Sequence, residues 1–87
     1  MKLRNEFILH SVDNETVLVP TADAKFRGVV QGNKTVGAIL NCLLTETSEQ
    51  QILDSLKEKY DGDENEMRED IRDLIAKLRE IGALDEL

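Results

Sequence analysis

The sequence predicts an α+β domain in which three short antiparallel strands precede a bundle of three helices. Two observations lead to this fold class. Segments rich in β-branched and aromatic residues, separated by turn residues, occupy the first third of the chain. Apolar residues at three- and four-residue spacing occupy the remainder. Because 87 residues leave room for one domain only, we expect residues 1–87 to form a single unit.

The predicted strands are placed by residue type and by the turns between them. Glu6–Val12 mixes aromatic and β-branched residues with polar ones, and the turn Asp13-Asn14-Glu15 leads to a returning strand over Thr16–Val19. Pro20 stops this strand, because proline lacks the N–H that a ladder needs. After a polar connection, Gly28–Gln31 is predicted as the third strand.

The first two predicted helices each follow a residue suited to capping. Asn33 precedes a helix over Lys34–Leu44, and its side-chain oxygen can accept from an unpaired N–H at the helix start. Thr47 or Ser48 begins a second helix, with a glutamine three residues on as a capping-box partner. This helix is expected to run to Tyr60.

The last predicted helix has the strongest periodic signal. Asp63 and Glu66 have the spacing of a capping box at its start, and Gly82 stands where a glycine commonly ends a helix. Between them, apolar residues recur at three- and four-residue intervals and define one apolar stripe. The stripe consists of Met67, Ile71, Leu74, Ile75, Leu78 and Ile81.

The charge of the chain excludes some classes of partner. With 18 acidic against 11 basic residues the net charge is −7, so the chain repels polyanions. We therefore expect neither nucleic acid nor an anionic membrane surface as a partner. The sequence contains no pattern of a signal peptide or membrane span, and Cys42 is the only cysteine, so we expect a cytoplasmic protein.

Residues suited to catalysis are few. His10 falls in a predicted strand and Cys42 on a predicted helix, with no acidic residue at a spacing that would orient either one. One His and one Cys cannot build a conventional metal site, and Gly28 and Gly32 lack the accompanying pattern of a phosphate-binding loop. The sequence therefore predicts no enzyme activity, no catalytic residue, no metal and no cofactor.

The third predicted strand, Gly28–Gln31, is short and suited to the edge of the sheet. An extended peptide that adds a strand there would gain main-chain hydrogen bonds, and adjacent side-chain pockets would select its sequence. The alternative is an ordinary edge strand that is kept from aggregating by its shortness. The residues alone leave both interpretations open.

The last helix also carries a second stripe beside the apolar one, formed by Arg68, Arg72, Ile75 and Arg79. Basic side chains beside an apolar groove are suited to an acidic, partly apolar peptide. The alternative is that the charges pair within the helix, at a gain of about 0.2–0.5 kcal/mol per pair. The pairs would be Glu64 with Arg68, Glu69 with Arg72, and Asp73 with Lys77.

A series of short segments runs through nearly the whole chain in a recognisable order and spacing. They are Phe26 to Val30, Asn33 to Thr35 followed by Ile39-Leu40, Thr47 to Ile52, Leu56, Tyr60-Asp61, Asp70-Ile71, Leu74-Ile75, Leu78 and Gly82 to Leu84. Together these segments resemble the PqqD family, small domains that recognise the precursors of ribosomally synthesised, post-translationally modified peptides (RiPPs). Two positions differ, because relatives often carry an apolar residue in place of Gly32 and many carry Trp in place of Leu40.

The resemblance implies a winged-helix-like domain whose third strand receives the leader peptide, in a groove against the third helix. On this sequence, the strand would contribute Phe26, Arg27, Gly28, Val29, Val30 and Gln31. The helix would contribute Met67, Arg68, Ile71, Arg72 and Ile75.

The resemblance also implies a partner. The domain would be a non-catalytic peptide chaperone that presents the precursor peptide to a modifying enzyme, typically a radical SAM enzyme, and in the founding case the product is the cofactor PQQ. A homodimer through the edge strand stays open. Two other functions are compatible with the same elements: a winged-helix DNA-binding regulator, which the net charge of −7 disfavours, and a subunit-docking domain that binds a folded protein.

Overall fold

The computed structural model describes residues 1–13, 15–21, 28, 30–32 and 34–86. In this part of the chain, three helices lie beside a three-stranded antiparallel sheet, which confirms the predicted α+β class. Five residues named in the sequence predictions lie outside the described residues. They are Asn14, Phe26, Arg27, Val29 and Asn33.

Five strands form two antiparallel sheets in the described residues. β1 (Lys2–Leu3) pairs with β5 (Leu84–Asp85), which follows the helices. β2 (Phe7–Val12), β3 (Glu15–Pro20) and β4 (Val30–Gly32) form the main sheet in that order. The sequence predicted the main sheet and not the smaller one, because a ladder of two residue pairs leaves no periodic pattern.

A tight hairpin joins β2 to β3. Val12 and Glu15 are the last paired residues, so only two residues close the turn. Asp13 has a φ of +56°, a left-handed conformation that aspartate adopts more readily than most residues. The predicted turn is therefore confirmed at Asp13. Pro20 remains in β3 as its final residue, where a proline is tolerated.

β3 is the central strand of the main sheet, so its residues have neighbours on both sides. Leu18 lies opposite Val30 on β4, and both side chains are buried. Val17 lies between His10 on β2 and Gln31 on β4, and those two side chains are exposed. Because alternate residues point to opposite faces, one face of the sheet packs on the core and the other meets solvent.

β4 is shifted relative to the predicted third strand. It begins at Val30 rather than at Gly28, which lies in a bend, and it ends at Gly32. A Cβ atom added to Gly32 would overlap the side chain of Val36 on the following helix. Glycine at this position, which departs from the family resemblance, therefore permits the close approach of strand and helix.

The helices are α1 (Lys34–Cys42), α2 (Glu49–Lys59) and α3 (Glu64–Glu80). α2 begins as predicted, because the Ser48 hydroxyl accepts a hydrogen bond from the N–H of Gln51 at 3.2 Å. α1 is two residues shorter than its predicted range of Lys34–Leu44.

α3 begins and ends at the predicted residues. The Asp63 carboxylate caps it by accepting from the N–H of Asn65 at 2.7 Å, one residue before the Glu66 position of the predicted capping box. Gly82 follows the helix with a φ of +73°. Its N–H donates to the carbonyl of Arg79 at 3.1 Å, and the N–H of Ala83 donates to the carbonyl of Leu78 at 2.8 Å. This pair of bonds is a Schellman ending, for which glycine is the favoured residue.

The core lies between the helices and the inner face of the main sheet. Five of the six predicted stripe residues of α3 are buried, and Ile81 is half-buried at the helix end. The small sheet closes one end of this core with Leu3 and Leu84, which lie opposite each other and are buried. None of the described helices combines the length and apolar character that crossing a membrane requires.

Candidate functional site

The main sheet ends at β4. Among the described residues, β4 pairs with β3 along one side and with no strand along the other. Backbone N–H and C=O groups on an unpaired side form a template for a further strand. The edge of β4 is therefore a place where an extended chain can form main-chain hydrogen bonds.

A groove of about 340 Å³ lies beside this edge. Each of three elements contributes part of its wall, and α3 contributes the largest part. The lining residues are Val30 and Gln31 of β4, Thr35 and Val36 of α1, and Asp70, Asp73, Leu74 and Lys77 of α3.

The groove has an apolar base and a charged wall. Val30 and Leu74 are 4% and 8% exposed, so the groove adjoins the hydrophobic core at these two side chains. Asp70, Asp73 and Lys77 are exposed on the α3 side. An apolar base with a few polar or charged groups is the usual composition of a ligand-binding site.

Of the three predicted strand residues that the structure describes, two line this groove. Val30 and Gln31 line it directly. Gly28 lies in the bend before β4 and is half-buried. Phe26, Arg27 and Val29 lie outside the described residues.

The five helix residues of the predicted site lie elsewhere. Met67, Ile71 and Ile75 are in the core, at 9%, 1% and 1% exposure. Arg68 and Arg72 lie on the side of α3 that faces α2, around a small depression that Glu49 and Leu53 also line. The structure therefore does not bring these five side chains together at the β4 groove.

The difference has a geometric cause. In a helix, residues that flank a core-facing stripe fall on its two opposite sides. Arg68 and Arg72 flank the stripe on one side, and Asp70 and Lys77 flank it on the other. The apolar periodicity locates the stripe but not the side that meets β4. The one available signal was the family-like segment that begins with Asp70 and contains Leu74.

The charges of α3 pair across elements rather than along the helix. Glu64 accepts from Lys57 of α2 at 2.8 Å, and Arg79 donates to Glu86 at 2.7 Å. The hydrogen bond from Lys57 lowers the pKa of Glu64, and the same bond raises the pKa of Lys57. None of the three predicted intrahelical pairs occurs among the ion pairs of the described residues.

The two residues considered for catalysis lie apart from the groove. His10 is exposed on β2, and Cys42 is half-buried at the end of α1, packed against the core. Within the described ranges, no three His, Cys, Asp or Glu side chains are close enough together to hold a metal ion.

A sequence comparison identifies the family. The profile of the family described as Coenzyme PQQ synthesis protein D (PqqD) matches residues 13–84, which include β3, β4 and all three helices. The chain therefore belongs to the PqqD family. No curated protein matches the chain.

Two solved structures have a similar fold. The structure described as TbiB1 in complex with the TbiA(beta) leader peptide is 20% identical, with a TM-score of 0.81 over 100% of this chain and 98% of that one. The structure described as lasso peptide synthetase B1 complexed with the leader peptide is 26% identical, with a TM-score of 0.73 over 94% of this chain and 93% of that one. Both of those structures contain a leader peptide.

Proposed function

We propose that this protein binds the leader segment of a ribosomally made precursor peptide and presents it to a modifying enzyme, without chemistry of its own. The leader adds a strand to the side of β4 that faces away from β3 and places side chains in the groove beside α3. The observation that carries this proposal is the edge of β4 that no described strand pairs with, next to an apolar-based groove. Membership of the PqqD family and the leader peptides bound to two similar structures support it.

Strand addition alone gives too little affinity. β4 has three residues, and an added strand forms about two to three main-chain hydrogen bonds with an edge of that length. Each bond contributes a net 0.5–1.5 kcal/mol or so, whereas a micromolar Kd requires about 8 kcal/mol. Burying one large apolar side chain adds about 1.5–3 kcal/mol. The groove beside the edge is therefore needed, and the two features act together.

The proposed site keeps the strand half of the predicted one and changes the helix half. We assign Val30 and Gln31, with the chain that leads to them from Phe26, to the strand contacts. For the helix we assign the four groove residues of α3 in place of Met67, Arg68, Ile71, Arg72 and Ile75. These four are Asp70, Asp73, Leu74 and Lys77.

The partner in this proposal is an enzyme that modifies the bound precursor. Radical SAM enzymes are the class that the family resemblance implies. An enzyme of the lasso peptide type is a second class to test, because one similar structure carries that description. In both cases the domain acts in the cytoplasm as a carrier of the peptide.

The test is an NMR titration of the isotope-labelled protein with the leader of the precursor peptide encoded beside it. We expect the largest amide shifts at Val30–Gly32 and along Asp70–Lys77. An added strand changes the hydrogen bonding of Val30–Gly32, and it changes the chemical environment of Asp70–Lys77. The amides of β2 provide an internal control and should move little. Flat spectra at high micromolar peptide, or shifts confined to β2, would reject the proposal.

A further inference from the structure

The two flanks of α3 carry opposite charge. On the side that faces the β4 groove lie Asp70 and Asp73, with Lys77 further along. On the side that faces α2 lie Arg68 and Arg72. The charge of the groove wall is therefore set by acidic residues, although the same helix has arginines on its other flank.

Among the residues that the structure describes, the two aspartates have no charged partner. Neither occurs in an ion pair there, and both are exposed. By contrast, Glu64 and Glu86, at the start of α3 and after its end, are both paired with bases. The groove therefore presents two carboxylates that a ligand can neutralise without displacing an internal cation.

We propose that the groove selects leader segments in which Lys or Arg residues lie next to an apolar anchor, with the basic groups opposite Asp70 and Asp73. This inference rests on the proposed function and names the chemistry of its peptide. The apolar anchor covers Val30 and Leu74, the buried base of the groove. Because alternate residues of an added strand face the same side, the anchor and the basic residues occupy alternate positions of the peptide.

The net charge of the whole molecule also favours a basic peptide. A net charge of −7 attracts a basic segment at long range and speeds its association, whereas it repels an acidic one. Contacts between exposed charges are individually weak, at about 2- to 5-fold in affinity for each pair. Two such contacts predict a preference of about 4- to 25-fold for the basic segment, and salt should reduce it.

The experiment starts from a display library of random extended peptides of about ten residues, the upper end of ordinary strand length. Peptides selected on the wild-type protein are synthesised and measured by titration calorimetry against three proteins. These are the wild type, the double variant Asp70→Asn with Asp73→Asn, and the matched control Arg68→Gln with Arg72→Gln on the opposite flank. Thermal unfolding of each variant reports whether it is folded.

We expect selected peptides to carry Lys or Arg at alternate positions around one apolar residue. The Asn variant should bind them about 4- to 25-fold more weakly, and the Gln control should bind them at least as tightly as the wild type does. The loss should shrink when ionic strength is raised from about 0.05 M to about 0.5 M.

Two other outcomes separate this inference from the proposed function. If peptides shift the amides of Val30–Gly32 but show a neutral or acidic consensus, or bind the Asn variant equally well, the inference is wrong and the proposed function stands. If no selected peptide perturbs β4, the proposed function fails and this inference fails with it.

Discussion

In the described part of the chain the main sheet has two edge strands, β2 and β4, and its register allows them to be compared residue by residue. Val17 of β3 lies between His10 on β2 and Gln31 on β4, on the solvent face. On the inner face, Leu18 lies between Leu9 on β2 and Val30 on β4. The longer strand, β2, has six residues and exposes Ile8 at 47%, whereas β4 has three.

Judged by its length and its exposed apolar surface, β2 is better suited than β4 to pairing with a further strand. A groove with an apolar base lies at β4, however, whereas the described pocket that reaches Ser11 of β2 is lined mainly by polar residues. An edge supplies hydrogen bonds that any extended chain can use, so it gives no selectivity by itself. In the proposed function, the helix beside β4 therefore supplies the selectivity that the strand edge alone does not.

The largest expected effect comes from Gly32, where β4 approaches α1. We expect Gly32→Ala to destabilise the protein by roughly 1–3 kcal/mol, because the new Cβ overlaps the side chain of Val36 and one element must move. Moving β4 also changes the groove, so leader binding should weaken about tenfold or more. Urea unfolding and calorimetric titration measure the two effects.

A second glycine provides the matched control. A Cβ added to Gly62 meets only the flexible end of Met67, at an ordinary contact distance of 3.4 Å. Gly62→Ala should therefore stay within about 0.5 kcal/mol of the wild type and leave peptide affinity unchanged. Equal stability and affinity for the two variants would show that the closeness of β4 to α1 does not matter to the edge.

A smaller effect tests the two edges directly. His10 and Gln31 flank the same residue, Val17, and both are exposed. Gln31→Lys should weaken binding of a basic leader about 2-fold, because the new charge lies on the edge strand beside the peptide, although on the other face of the sheet from the basic residues of the peptide. His10→Lys adds the same charge at the other edge and should change affinity little. A larger loss of affinity for His10→Lys than for Gln31→Lys would indicate that the peptide binds at β2.

Much of the fold could be predicted from the sequence because the signals for those features lie within a few neighbouring residues. The start of α2 at Ser48 and the ending of α3 at Gly82 each depend on a few neighbouring residues. The apolar stripe of α3 also follows from spacing alone, and its members from Met67 to Leu78 are buried. These features need no knowledge of the tertiary contacts.

The residues of α3 that line the candidate site could not be predicted without knowledge of the tertiary contacts. Asp70 and Arg72 lie two residues apart on opposite flanks of the stripe, and only the placement of α3 in the folded domain determines which flank lines the groove. The pairing of Leu3 with Leu84 is likewise set by where the two ends of the domain meet. Val30 and Gln31 could be predicted to lie in a strand because they carry a local signal of a short strand next to Gly32, and their role in peptide binding stays a prediction.

The smallest expected effect concerns the ion pair between Lys57 and Glu64, which joins α2 to the start of α3 on exposed surface. The hydrogen bond lowers the pKa of Glu64, so its contribution to stability is present above the ordinary glutamate pKa and is lost as pH falls through the lowered value. The same bond raises the pKa of Lys57, so that contribution is present below the ordinary lysine pKa and is lost at higher pH. Glu64→Gln should therefore lower the urea midpoint slightly at neutral pH and leave it unchanged in acid.

Peptide affinity should not follow this change, because the pair lies away from the β4 groove. The measurement is a set of urea midpoints across pH for wild type and Glu64→Gln, with leader affinity measured on both at neutral pH. A fall in affinity as large as that of Gln31→Lys would mean that the attachment of α3 to α2 sets the groove. In that case the difference between the β2 and β4 edges would depend on how rigidly α3 is attached to α2, as well as on the charges that α3 carries.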